Sequence, residues 1–165
     1  FAERSRRLPK FLEEQEQERL LAAAQRTGKV EAALVTLLIY SGLRVSEALK
    51  LRWRNIRWPH GRDLGAIYVI EGKGRRDRNI SLHPHVREAL RGLRRGGLDD
   101  YIFIGRREEE HLTSRTAERI IERLAVEAGI PREKAHPHAL RHTFAVRLYE
   151  NGEGLPVIAR LLGHA

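Results

Sequence analysis

The feature that most constrains the fold is a change of hydrophobic period within the chain. On either side of residues 52–82, apolar residues recur every three or four positions, the spacing of amphipathic helices. Inside that interval lie three short segments, "RNIRW", "AIYVIE" and "RNISL", separated by the glycine-containing turns "PHGRDLG" and "GKGRRD". The sequence therefore predicts a mainly α protein with a small antiparallel three-stranded β-sheet, an α+β fold.

Helices are predicted on both sides of this sheet, with glycine or proline near most of their ends. They cover residues 13–25, 30–41, 45–51, 84–95, 113–128 and 137–151, and a last short helix starts at Pro156. The clearest amphipathic stripe is formed by Ala117, Ile120, Ile121, Leu124 and Ala128. The segment "RREEE" is predicted to be an exposed loop. At 165 residues, one domain with its own hydrophobic core is expected.

Composition narrows the class of protein. The chain has no cysteine, which argues against a disulfide framework and favours an intracellular, cytoplasmic location. No apolar run approaches the roughly 20 residues that span a bilayer, so no membrane association is expected. Because the chain begins at Phe1 and contains no methionine, we expect it to be a piece of a longer protein.

The charge balance favours a polyanionic partner. Lys and Arg number 31 against 22 Asp and Glu, which gives a net charge of +9, and arginine predominates among the cations. The planar guanidinium fork matches two phosphate oxygens at once, as a phosphodiester-binding surface requires. A solvated basic surface without any such partner remains the alternative.

The stretch "HPHALRHTFAVRL" places ionisable groups on a predicted helix. His138 and Arg141 are one turn apart and point the same way, whereas Leu140, Phe144 and Leu148 face inward. An imidazole beside a guanidinium can bind a phosphate and move a proton near it. Two satisfied polar residues at a helix start are the alternative.

A metal site is a further alternative for this stretch, because His138 and His142 are four residues apart and His136 is close by. No glutamate lies between the histidines to act as a base, and an arginine on the same face would repel a divalent cation. We therefore predict no metal site and assign His142 to a structural hydrogen bond of the helix.

Three further stretches carry groups of the same chemistry. In "YSGLRVSEALKL", Arg44 follows a helix end and Glu47 is placed to steady it. In "IEGKGRRDRNISL", Lys73 lies between two glycines at a predicted hairpin turn. In "LLGHA", His164 follows a helix end. Each residue alone has an ordinary structural explanation as a helix-end or turn residue.

In their order along the chain, these four stretches, with five candidate residues, resemble the catalytic domain of tyrosine recombinases, the phage-integrase and Xer-like family. The resemblance runs from "LPKFLEEQEQERLL" to "LLGHA". It implies two catalytic arginines, Arg44 and Arg141, a hairpin lysine, Lys73, and the histidines His138 and His164. It also implies double-stranded DNA as the partner and no metal or other cofactor.

The reaction implied by the resemblance is the attack of a tyrosine hydroxyl on a DNA phosphodiester, giving a 3′-phosphotyrosyl link and a free 5′-hydroxyl. Arg44, Arg141 and His164 would stabilise the phosphorane, Lys73 would protonate the departing oxygen and His138 would act as base. The nucleophile would follow "LLGH" beyond Ala165, because none of Tyr40, Tyr68, Tyr101 and Tyr149 lies in a suitable place. The family's N-terminal core-binding domain is likewise not expected within these residues.

Other basic residues are expected to touch phosphates: Arg75, Arg76 and Arg78 on the hairpin, Arg115 at a helix start, and Lys134. The resemblance implies a homotetramer on DNA for the whole protein, and we expect this piece to be monomeric in solution. A DNA-binding module without catalysis, a degenerate recombinase and a type IB topoisomerase remain open as alternatives.

Overall fold

Residues 10–71, 77–93 and 96–164 are described by a computed structural model. Seven α-helices occur in these residues: α1 (Glu14–Thr27), α2 (Lys29–Ser41), α3 (Val45–Leu49), α4 (Pro84–Arg91), α5 (Ser114–Glu127), α6 (Pro137–Glu150) and α7 (Leu155–Leu161). The strands are β1 (Ile56–Arg57), β2 (Ala66–Val69) and β3 (Arg78–Ser81). The predicted α+β fold is therefore confirmed.

The centre of the fold is α2, which packs against α1, α4 and α6. Its residues 33–39 are all buried because the segment "ALVTLLI" presents apolar or small groups around the whole circumference. The helix ends at Gly42, whose φ of 67° lies in the left-handed region that favours glycine. This ending turns the chain toward Arg44 and α3.

The three strands form one antiparallel sheet in the order β1-β2-β3. Ile67 pairs with Ile56 on one side and with Ile80 on the other, so that apolar side chains line the inner face. The predicted first strand is shorter than expected, because residues 53–55 form a turn of 3₁₀ helix. Strand β3 also contacts α7, which brings the sheet next to the C-terminal end of the described chain.

The structure also tests the predicted end of α4 and the predicted inward face of α6. The helix predicted for residues 84–95 ends at Arg91, where Gly92 interrupts the apolar stripe and the backbone N–H of Leu93 bonds to Leu90 in a tighter turn. The inward positions of Leu140, Phe144 and Leu148 are confirmed: Leu140 joins the main core, and the other two pack with Ile158 and Leu162 of the α7 region. Within the described ranges, no helix is long and apolar enough to cross a membrane.

Candidate phosphate-binding site

Arg44 immediately precedes α3 and is held there by Glu47. The Glu47 carboxylate accepts a hydrogen bond from the backbone N–H of Arg44 at 2.9 Å, which caps the first turn of the helix. The Arg44 side chain is 28% exposed, and its Nη1 lies 3.8 Å from Glu47 Oε2. This Nη1 is buried, and no described residue accepts a hydrogen bond from it. Within the described residues, the hydrogen-bonding capacity of this donor is therefore unsatisfied.

Arg141 lies one turn into α6 and is 7% exposed. Its Nη1 donates to the carbonyl of Gly42 at 2.8 Å, and its Nη2 donates to the carbonyl of Leu162 at 2.7 Å. These two bonds tie α6 to the end of α2 and to the end of α7. Burial, followed by the charge of Arg44, lowers the pKa of Arg141 to about 10, so it stays cationic at neutral pH.

The two histidines of the predicted site differ in environment. His138 is exposed in the first turn of α6, where it borders a cleft of about 390 Å³ that Arg44 and Arg141 also line. His164 follows α7, and its Nε2 lies 3.4 Å from Arg141 Nη2. Partial burial and the neighbouring arginines lower the pKa of His164, which keeps its ring neutral and leaves one N–H as a donor.

A buried cluster of ion pairs lies next to the side chains of Arg44 and Arg141. Glu47 accepts hydrogen bonds from both terminal nitrogens of the Arg78 guanidinium, from Nη1 to Oε2 at 2.8 Å and from Nη2 to Oε1 at 3.0 Å. Arg78 Nη1 also pairs with Glu71, and Arg78 Nε donates to the carbonyl of Leu161 at 3.0 Å. Burial alone would raise the pKa of Glu47, but the hydrogen bonds of Arg78 and its other partners lower it to about 2.

The predicted position of Arg78 on a DNA-facing surface is therefore wrong. Its side chain is 7% exposed, and its guanidinium is bonded to Glu47, Glu71 and the α7 backbone. Sequence reasoning also missed Glu71. Both residues could have been placed by the two-residue alternation of the strands, because Glu71 follows Ile67 and Val69 on the buried face and Arg78 precedes Ile80 there.

The remaining predicted residues are placed as follows. Arg115 is exposed in the first turn of α5. Lys134 is not free for a phosphate as predicted, because its Nζ lies 2.6 Å from Glu16 Oε1 at the start of α1. His142 is half-buried, and within the described residues its ring forms no hydrogen bond, contrary to the structural role predicted for it. Lys73, Arg75 and Arg76 lie outside the described residues.

Metal ligation was a rejected alternative for the histidines. In the part of the chain that the structure describes, no group of three or more histidine, aspartate or glutamate side chains is arranged to hold a metal ion. The donors that do converge are guanidinium and imidazole groups. The guanidinium N–H groups are donors that bind oxyanions.

Arginines from the α2–α3 connection and α6, with a histidine after α7, thus form a candidate site for a phosphate-type anion on a mainly helical domain with a small sheet. Residues 10–165 match the phage integrase family, and the chain belongs to that family. It is 39% identical to the tyrosine recombinase XerD of Caulobacter vibrioides, over 97% of this chain and 55% of the relative. The chain thus spans about half the length of such relatives.

Solved structures agree with this assignment. A crystal structure of a XerA recombinase superimposes with a TM-score of 0.80 at 32% identity, covering 96% of this chain and 57% of that one. A XerH site-specific recombinase bound to its difH substrate in a pre-cleavage complex superimposes with a TM-score of 0.77 at 26% identity, covering 96% and 48%. The fold is that of the tyrosine recombinase catalytic domain.

Proposed function

We propose that this chain is the catalytic domain of a site-specific DNA recombinase that breaks and rejoins strands through a 3′-phosphotyrosyl intermediate. The observation that carries the proposal is that Arg44 and Arg141, from separate parts of the chain, line the same cleft, and that His164 lies 3.4 Å from Arg141. The DNA-bound XerH relative supports duplex DNA as the substrate.

In the proposed reaction a tyrosine oxygen attacks phosphorus and its proton passes to a base. The bond between phosphorus and the 5′-oxygen breaks, and that oxygen leaves as a hydroxyl after receiving a proton. Attack by another strand's 5′-hydroxyl reverses these steps. The phosphorane carries two negative charges, so fixed guanidinium groups stabilise it more than the singly charged ground state.

Roles follow from the environments of the side chains. Arg44 and Arg141 bind the non-bridging oxygens, and the neutral His164 donates a further hydrogen bond. His138, exposed at the rim of the cleft, is the proposed base. Lys73, outside the described residues, is the proposed acid for the leaving oxygen.

The proposed nucleophile is a tyrosine of the whole protein beyond residues 1–165. Tyr68 is unsuitable because its hydroxyl donates to Asp77 at 2.7 Å, a bond that raises the pKa of the phenol and opposes its ionisation. Tyr40 is also engaged, since its ring stacks on His83 with centroids 4.3 Å apart. For the whole protein we propose a homotetramer on DNA in the cytoplasm, and for this piece a monomer in solution.

The test uses the whole protein and a pool of nicked duplexes in which the sequence around the nick is randomised. We expect a covalent protein–DNA adduct at a tyrosine, mapped by mass spectrometry. Arg141→Ala should lower its yield about 100-fold, the usual scale for loss of one transition-state donor. Arg123→Ala, which removes an exposed arginine of α5, is the matched control and should leave the yield unchanged.

An undiminished yield in Arg141→Ala would remove this residue from the site. DNA binding without any adduct would favour the non-catalytic DNA-binding module. Relaxation of supercoiled DNA without a preferred site would favour the type IB topoisomerase.

A further inference from the structure

A second buried carboxylate lies among the arginines of the site. The Glu71 side chain is 2% exposed and pairs with Arg78, and its Oε1 lies 3.6 Å from Arg44 Nη1. It follows β2 and shares the buried face of that strand with Val69. A carboxylate this close to a phosphate-binding arginine competes with the phosphate for the same cation.

The chain packs tightly over this carboxylate. A Cβ atom built on Gly163 would lie 2.5 Å from Glu71 Oε1 and 2.7 Å from Arg78 Nη1. The absence of a side chain at Gly163 therefore lets the segment that ends in His164 cover the Glu71–Arg78 pair. Solvent screening of the pair is correspondingly weak, since buried charges are screened much less than exposed ones.

Several described elements bring charged groups close to Glu71, and the Asp77 carboxylate just before β3 accepts a hydrogen bond from the Glu71 backbone N–H at 3.0 Å. Arg44 and Glu47 come from the start of α3, Arg78 from β3 and Arg141 from α6, and the neutral ring of His164 follows α7. Lys73, two residues further along the chain, lies outside the described residues. With both carboxyls ionised, Glu47 and Glu71 offset two of the three guanidinium charges of Arg44, Arg78 and Arg141.

The two carboxyls respond differently to this environment. Burial first, and then the neighbouring Glu47 carboxyl, raise the pKa of Glu71, and the opposing effects of Arg78 and Arg44 are smaller. Glu47, which accepts hydrogen bonds from both terminal nitrogens of Arg78, has a pKa far below that of Glu71. A proton entering the cluster therefore goes to Glu71.

We propose that Glu71 takes up a proton from solvent when a phosphodiester binds against Arg44, which transfers this arginine from the carboxylate to the phosphate. Like charges disfavour each other, so the bound phosphate and an ionised Glu71 are mutually unfavourable. Proton binding and phosphate binding are then reciprocally coupled. This role rests on the proposed function, because it takes DNA phosphate as the ligand of Arg44.

The coupling of proton binding at Glu71 to phosphate binding at Arg44 would favour stabilisation of the phosphorane. Protonation of Glu71 removes one negative charge from beside Arg44, whereas the phosphorane brings two negative charges to it. Ionised Glu71 instead offsets part of the field that stabilises it. Glu71 thus acts as a positioning residue through Arg44 and sets how strongly that guanidinium responds to phosphate.

The test follows the Glu71 carboxyl directly. Its ¹³Cδ chemical shift, assigned by difference with Glu71→Gln, is titrated in the wild-type chain with and without a short random-sequence DNA duplex. We expect DNA to move the titration midpoint upward by about one pH unit, equivalent to about tenfold tighter binding to the protonated form.

Affinity for the same duplex supplies a second readout. Glu71→Gln should bind about tenfold tighter than wild type above the midpoint of the DNA-bound state, and the two should bind equally below the midpoint of the free state. Glu127→Gln, which removes an equal charge from the exposed end of α5, should show a pH dependence like that of the wild type.

An unchanged Glu71 midpoint in the presence of DNA overturns this role. If Arg141→Ala still weakens DNA binding in that case, the proposed phosphate site stands and only the proton coupling fails. If the duplex does not bind, or binds Arg141→Ala as tightly as wild type, both proposals fail.

Discussion

The Arg78 guanidinium donates two hydrogen bonds to the Glu47 carboxylate, at 2.8 and 3.0 Å, and both side chains are nearly buried. This pair joins β3 to α3, two elements separated by 31 positions in the sequence. Planar fork-to-carboxylate geometry fixes orientation as well as distance. It therefore sets the angle at which α3, with Arg44 at its start, meets the sheet.

Removal of Arg78 should destabilise the fold. Arg78→Ala removes the hydrogen-bonded cation of Glu47 and Glu71 and leaves these buried carboxylates with only the longer contacts to Arg44 and Arg141; breaking a buried pair costs about 3–5 kcal/mol. The free energy of unfolding, measured in urea, should fall by that amount. Arg54→Ala breaks the exposed pair with Asp99 and should cost less than about 1 kcal/mol. Equal losses in the two variants would contradict a supporting role for the buried cluster.

The sequence predicted the class of fold because each helical stripe and each short strand is consistent with its own local period. The error at Arg78 came from reading a charged residue near a glycine-rich turn as exposed. Arginine and glutamate are rarely buried unless they are paired. The pairing with Glu47 depends on the tertiary fold, and neither period nor composition encodes it.

The ion pair of Lys134 could not be predicted from the sequence for the same reason. Its partner, Glu16, is 118 positions away at the start of α1, so no local pattern links the two. The order of the motifs along the chain was more informative about the candidate site than local periodicity was. The residues that it selected and that the structure describes, Arg44, His138, Arg141 and His164, lie around one cleft or contact its lining.

Arg115 and Lys134 should differ in DNA binding because only one of them is free on the surface. Each phosphate contact releases a counterion, so Arg115→Ala should reduce the slope of log affinity against log salt by about 1. Lys134→Ala should leave the slope unchanged and instead lower the free energy of unfolding by about 1–2 kcal/mol through loss of the Glu16 bond. Fluorescence anisotropy over a salt series measures the first effect. A reduced slope in Lys134→Ala would show that this lysine leaves Glu16 for DNA.

Substitution of Gly163 should have a larger effect than the strain of its backbone conformation alone would cause. Gly163 and Gly152 both have positive φ, at 76° and 89°, so alanine at either position incurs a backbone cost of about 1–2 kcal/mol. Apart from its chain neighbours, no heavy atom of the described residues lies within 4 Å of a Cβ at Gly152, whereas a Cβ at Gly163 would lie 2.5 Å from Glu71 Oε1. Gly163→Ala must therefore move either the Glu71–Arg78 pair or the segment that carries His164.

The site should respond to that movement more than the fold does. Displacing catalytic groups by about 1 Å can cost 100-fold in rate, so Gly163→Ala in the whole protein should lower the yield of covalent DNA adduct at least tenfold. Gly152→Ala should retain the wild-type yield at temperatures where both variants are folded, as checked by circular dichroism. Similar adduct yields in the two variants would mean that the packing of Gly163 on Glu71 does not position the catalytic groups.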